Sequence, residues 1–98
     1  MGDPAPFLHG DLDIATVAGV HRHALAAHKA GSLPDSIDLS DITRADSAGL
    51  ALLLELKTWA QAGGRDLQLT NPPESLRVLA ELSQADELLG WGTQETSR

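Results

Sequence analysis

The segment from Ser47 to Ala62, SAGLALLLELKTWAQA, constrains this chain most, because it holds more apolar residues than one buried helix face can use. Wound at about 100° per residue, it gathers Gly49, Leu52, Leu53, Leu56, Trp59 and Ala60 on one side, which is predicted to face a sheet. Glu55, Lys57, Thr58, Gln61 and Ala62 fall in the opposite half, where water can cover them. Leu50 and Leu54 project into that same half, together with Ser47. Two readings are open. The leucines tuck against a neighbouring helix or loop, or they join Ser47, Lys57 and Thr58 in a stripe for a protein partner, apolar at its centre and polar at its rim. On the second reading, Leu54→Glu leaves the fold intact and abolishes binding.

The ends of this helix are marked. Gly63-Gly64 stops it and lets the chain turn. At its start both Asp46 and Ser47 are suited to accept a hydrogen bond from an otherwise unpaired amide, and only one of them can be the cap. If Asp46 takes that role, Ser47 stands in the first turn with its hydroxyl outward, open to contact or to phosphorylation. A phosphate there suits the helix dipole, but it lies near Asp41, Asp46 and the leucines. Like-charge repulsion and desolvation would then make it an off-switch for an interface.

Around this helix the chain alternates strand-like and helix-like segments. PFLHGDLD reads as a strand running into a helix start, with Asp13 as N-cap. Ile14, Val17, Ala18, His21, Ala24, Leu25 and His28 then recur at helical spacing, and Gly31 ends the run. A short strand is expected over Ser36 to Leu39, and another in DLQLTN. Pro72-Pro73 opens a third helix from within its first turn. The inner stripe of that helix is predicted to be Leu76, Leu79, Ala80 and Leu82. ADELLGW closes the fold as a short helix or turn, and the polar tail after Trp91 is expected to fray. The fold class is α/β, a small sheet with helices packed against it.

At 98 residues the chain is expected to be one domain spanning 1–98, able to hide roughly two thirds of its unfolded surface. No cysteine is present, so disulfides and thiolate metal sites are not available. The apolar run Ala48 to Leu54 is far short of the roughly 20 residues that span a bilayer. With no signal-like opening segment, the expectation is a soluble, cytoplasmic protein without direct membrane insertion. The net charge is −7, with seven Lys plus Arg scattered along the chain. Nucleic acid needs cations gathered on one face, and two Trp, one Phe and no Tyr offer few stacking platforms, so no nucleic-acid partner is expected.

The pattern GDLD at Gly10 to Asp13, IDLS at Ile37 to Ser40 and DSAGL at Asp46 to Leu50 resembles the STAS domain, a module shared by sulfate transporters and anti-sigma factor antagonists. The likeness runs from Phe7 to Leu89. RADSAGLALLLEL is its specific part, most similar to the MlaB-like branch, whose members partner the cytoplasmic ATPase of an ABC system moving phospholipids between bacterial membranes. The resemblance implies a mostly parallel sheet, a functional hydroxyl at Ser47 and a partner surface around the start of that helix. It implies a non-enzymatic regulatory subunit that docks on an ABC transporter ATPase and helps maintain outer-membrane lipid asymmetry. The alternative it offers is an anti-sigma factor antagonist whose partner kinase phosphorylates Ser47. Partner-binding residues are then Arg44, Asp46, Ser47, Gly49, Leu50, Leu54, Lys57 and Thr58. Asp46 caps, Gly49 permits close packing, Leu50 and Leu54 anchor, Ser47 and Thr58 offer hydrogen bonds, and Arg44 and Lys57 tune specificity at the rim. The family has a strand pair before its first helix, whereas about one strand's worth of sequence precedes Asp11 here. The sheet is thus a strand short, or its edge is covered in another way. An open edge leaves room for a dimer.

No catalytic or cofactor motif stands out. Asp38, Asp41 and Asp46 match no calcium loop and lack its bidentate glutamate, and His21 and His28 stand seven apart, too far for two ligands on one metal. His9 and His23 complete the histidines, for which a structural or solvent role is expected. Gly63-Gly64-Arg65 lacks the lysine and hydroxyl of a phosphate-binding loop, and Ser47 has no nucleophile-elbow setting. A binding module is the expectation, not an enzyme.

Overall fold

A computed structural model of the chain describes residues 7–91. The element order is β1 (Gly10–Leu12), α1 (Val17–Lys29), β2 (Ser36–Asp38), β3 (Ile42–Ala45), α2 (Ser47–Ala62), β4 (Gln68–Thr70) and α3 (Glu74–Leu82). The strands form two parallel ladders, β1 with β3 and β2 with β4. Between β2 and β3 the chain bends sharply, the Ile42 amide donating to the Leu39 carbonyl at 3.1 Å. Bonds on either side carry the pairing through the bend, from the Leu39 amide to the Thr70 carbonyl and from the Gly10 amide to the Asp41 carbonyl. The expected strand over Ser36 to Leu39 is therefore followed by a second one, β3, which the alternation in SIDLSDI does not announce. Its out-of-phase Ile42 marks the bend, since Ile42 points to the core like Ile37 and Leu39.

Strand periodicity of two puts Leu12, Ile37, Ile42 and Leu69 inside, while Asp11, Ser36, Asp38 and Gln68 are exposed. The buried side joins the helices in one cluster that includes Leu53, Leu56, Leu67, Leu76 and Leu89. α2 lies at its centre, touching α1, α3 and β3. The expectation of a sheet one strand short, or of an edge covered in another way, bears largely on residues 1–6, and that of a frayed tail on 92–98, both outside the described residues.

Helix ends are set locally. All three helices close in the same way, with the residue after the cap at positive φ and its amide bonded back to the helix: Gly31 at 75°, Gly64 at 77° and Gln84 at 57°. Glycine takes this conformation without penalty, and Gln84 does so at a cost. At the other ends the prolines differ from expectation. Pro73 stands at the N-cap with ψ 155°, and Glu74 is the first helical residue, because the backbone enters α3 only after an extended step.

Two stripe assignments are corrected. Leu82 is exposed, since it lies about 120° round α3 from buried Leu76. Leu50, expected on the watered half of α2, is only 4% exposed and belongs to the core. The buried residues of α2, Gly49, Leu50, Leu52, Leu53, Leu56 and Ala60, span an arc of about 160°. A helix flanked on two sides by other helices is covered over a wider arc than one lying alone on a sheet, which takes roughly 100°.

Candidate functional site at the start of the second helix

Asp46 organises this region. Its backbone is extended (φ −127°, ψ −168°), and its Oδ1 accepts from the Ala48 amide at 2.9 Å and the Gly49 amide at 3.2 Å. Asp46 is therefore the N-cap, and Ser47 the first helical residue, exposed. The second carboxylate oxygen, Oδ2, accepts from the Ile14 amide at 3.0 Å. One side chain thus serves two chain segments that lie far apart in sequence. The Ile14 amide, aided by those of Gly49 and Ala48, holds the Asp46 carboxyl below the ordinary carboxylate range, against a partial desolvation that pushes it up.

Ile14 is presented by a similar device. The Asp13 carboxylate accepts from the Ala15 amide at 3.0 Å and the Thr16 amide at 3.2 Å, while the Asp13 amide donates to the Thr16 hydroxyl at 3.0 Å. This reciprocal pair is a capping box, so Asp13 does cap a helical turn, although α1 proper starts at Val17. Ile14 is the residue after that cap, and its side chain stands outward, 75% exposed. The expectation that Ile14 belongs to the inner stripe of α1 is corrected accordingly. The signal was present in the sequence as D-I-A-T, whose Asp and Thr three apart can satisfy each other's amides.

Gly49 fixes how closely α2 approaches β1. A Cβ at this position would press on the Leu12 carbonyl oxygen and stand 2.9 Å from Leu12 Cγ. The same Leu12 carbonyl accepts from the Asp46 amide at 3.3 Å. Cap and glycine together seat the first turn of α2 against the end of β1, and the cap also holds the Ile14 turn beside it.

The resulting surface carries Ile14, Arg44 and Ser47, all exposed. A hollow of about 210 Å³ lies between the Ile14 turn and the end of β3, lined by Asp13, Ile14, Ala15, Arg44, Ala45 and Asp46, without Ser47. The structure does not bring all the expected residues to this face. Leu50 is in the core, as described. Leu54 is half-buried and packs against it. Lys57 is no rim residue: its side chain is 12% exposed, and its ammonium donates to the Leu67 carbonyl at 2.8 Å, at the entrance to β4. Thr58 is exposed, but its hydroxyl proton is directed to the Leu54 carbonyl at 3.0 Å. Ala51, one turn after Ser47, occupies the exposed row that Leu50 was expected to share.

Asp38 and two of the histidines have local structural duties. The Asp38 carboxylate accepts from the Ser40 amide at 2.9 Å and the Asn71 side chain at 3.3 Å, and the Ser40 bonds hold it below the ordinary range. His28 stacks on Trp59 at 5.1 Å between ring centroids, and His21 meets the same ring edge-on at 5.5 Å while sharing a 3.3 Å contact with Glu55. These pairs seal the seam between α1 and α2. Among the described residues, no group of three or more His, Cys, Asp or Glu could hold a metal ion.

Three helices on parallel strands, with an exposed turn-and-helix-start surface at the beginning of α2, define a small α/β domain over the described residues. A family model described as Mlab, STAS domain matches residues 7–90, and the chain belongs to that family, a STAS domain of the MlaB type. Domains of this family are generally non-catalytic binding and regulatory modules that act through other proteins. Among curated proteins, none matches the chain. No described helix is long and apolar enough to cross a membrane.

Proposed function

We propose that this protein is a regulatory subunit that docks on the cytoplasmic ATPase of an ABC-type phospholipid transport system through the start of α2. Family membership supports the class of activity. The observation that carries the location is the double use of Asp46, which caps α2 with one oxygen and fixes the Ile14 turn with the other. An exposed isoleucine, an exposed hydroxyl and an exposed guanidinium are thereby held in one small surface without ordering on binding, which lowers the entropic cost of association. Ile14 supplies the apolar centre, and Ser47 and Arg44 the polar rim. Gly49 and Asp46 shape the surface from beneath. Lys57 and Leu50 act from within the fold.

The test is co-purification with an ATPase carrying a phosphate-binding loop, encoded in the same cell and tagged. Ile14→Glu is expected to abolish retention while leaving the melting temperature unchanged, because the side chain is already in water. Retention equal to wild type would remove this surface from the reading. A second reading is favoured by one feature, the exposure of Ser47 at the first position of a helix. On it, the protein is an anti-sigma factor antagonist switched by a kinase acting on Ser47. Incubation with lysate and ATP then yields a phosphorylated Ser47, and the purified partner is a kinase rather than a transporter ATPase.

A further inference from the structure

We propose that the outer face of α3 and the turn after it form a second docking surface, for a protein partner that presents an apolar helix face flanked by lysine or arginine. Four large apolar side chains are exposed among the described residues, and three of them, Val78, Leu82 and Leu88, lie in this stretch. Leu82 is 78% exposed and Leu88 66%. One exposed leucine is ordinary; three large apolar side chains exposed within eleven residues of chain concentrate apolar surface on α3 and the turn after it. Val78 and Leu82 stand one turn apart on α3, with Cβ atoms about 6 Å from each other. The core does not need them. α3 already buries Leu76 and Ala80 completely, and the following turn is anchored by buried Ala85 and Leu89.

Charge selects the occupant. Glu74 continues the Val78–Leu82 row one turn earlier, Glu81 adjoins Leu82, and Asp86 and Glu87 precede Leu88, with Arg77 the one cation between Glu74 and Gly90. A second copy would set one acidic rim against another, and an anionic lipid surface would meet the same repulsion. A helix with an aliphatic stripe and basic flanks meets complementary charge at the rim and apolar area at the centre. The surface uses no residue of the Ile14–Ser47 site, so it stands apart from the function proposed above.

The test uses the full chain and two synthetic amphipathic helical peptides with the same leucine stripe, one flanked by lysines and one by glutamates. Backbone amide shifts are followed by NMR during titration. The lysine peptide is expected to shift amides between Glu74 and Leu88 and to weaken roughly tenfold between low and moderate salt, as rim pairs are screened. Leu82→Ser is expected to reduce affinity about tenfold with an unchanged melting temperature, since its side chain is largely in water. Ile14→Glu is expected to leave peptide binding as it was. The proposal is overturned if the glutamate peptide binds equally, or if the shifts fall outside α3 and its following turn. It is also overturned if sedimentation shows a dimer that Leu82→Ser dissolves, which would make a second copy the occupant.

Discussion

Gly49→Ala puts the seating of α2 to a direct measurement. Glycine inside a helix is ordinarily about 1 kcal/mol worse than alanine, so propensity alone predicts a gain from this change. The structure predicts the reverse. The added Cβ meets the Leu12 carbonyl oxygen, Leu12 Cγ at 2.9 Å and the Leu12 carbonyl carbon at 3.1 Å, and two of these three are backbone atoms that cannot swing aside. Restoring ordinary contacts of about 3.5 Å requires the first turn of α2 to lift by roughly 1 Å. That movement strains the Asp46–Leu12 hydrogen bond and loosens Leu50 and Leu53 in the core. Overpacking of this kind costs about 1–3 kcal/mol, and a weakened hydrogen bond adds about 1 kcal/mol. Set against the propensity gain of about 1 kcal/mol, a net loss of about 1–3 kcal/mol is expected, or a fall of about 5–20 °C in melting temperature for a domain of this size. Urea and thermal unfolding followed by circular dichroism give both values. Gly63→Ala at the far end of the same helix is the control, because its added Cβ meets nothing closer than 3.6 Å. If Gly49→Ala proves as stable as that control, the close approach of α2 to β1 is refuted, and with it the account of how the Ile14–Ser47 surface is held.

Other substitutions test separate links. Asp46 is ionised more readily in the fold than in the unfolded chain, so its ionised form stabilises above about pH 4, the ordinary carboxylate value. That contribution is lost as pH falls through the lower folded-state value. The stability difference between wild type and Asp46→Asn, measured by urea titration, should therefore shrink below about pH 4; a constant difference down to strong acid would contradict the assignment. Gln84→Gly should raise stability by about 0.5 kcal/mol, because relief of the positive φ outweighs the added freedom of the unfolded chain. An unchanged or lower melting temperature would show the turn to be unstrained. Lys57→Met should cost about 1 kcal/mol by leaving the Leu67 carbonyl without its donor. Partner retention should be unaffected in the same variant, and its loss would return Lys57 to the interface.

Much of the site was legible because caps and periodicities are local. The D-S-A-G run limits the N-cap to Asp46 or Ser47, and the structure gives it to Asp46, whose Oδ1 reaches the amides two and three residues ahead while its Oδ2 reaches that of Ile14. Gly49, Leu52, Leu53, Leu56 and Ala60 were read correctly as inward because helical phase alone puts them opposite Ser47. The family likeness rested on the same short-range spelling. Ile14 was missed although its capping box was in view, because seven apolar and histidine positions at helical spacing suggested that the helix axis, and so the inner stripe, began with it.

What the chain dictates by itself is where the three helices of the described residues and the strands β1, β2 and β4 lie, which side of each is greasiest, and where the first two helices stop. Only the assembled molecule decides how far round each helix the neighbours reach, and that boundary sorts Leu50 from Leu82. Phase angle places Leu50 on the flank, and the helices packed on either side of α2 close over it. The same phase angle was read as inward for Leu82, and no neighbour reaches it. Lys57 follows the same rule, drawn inward by a carbonyl at the entrance to β4. Burial depends on neighbours contributed by distant parts of the chain, and a local pattern carries no information about how wide their cover will be.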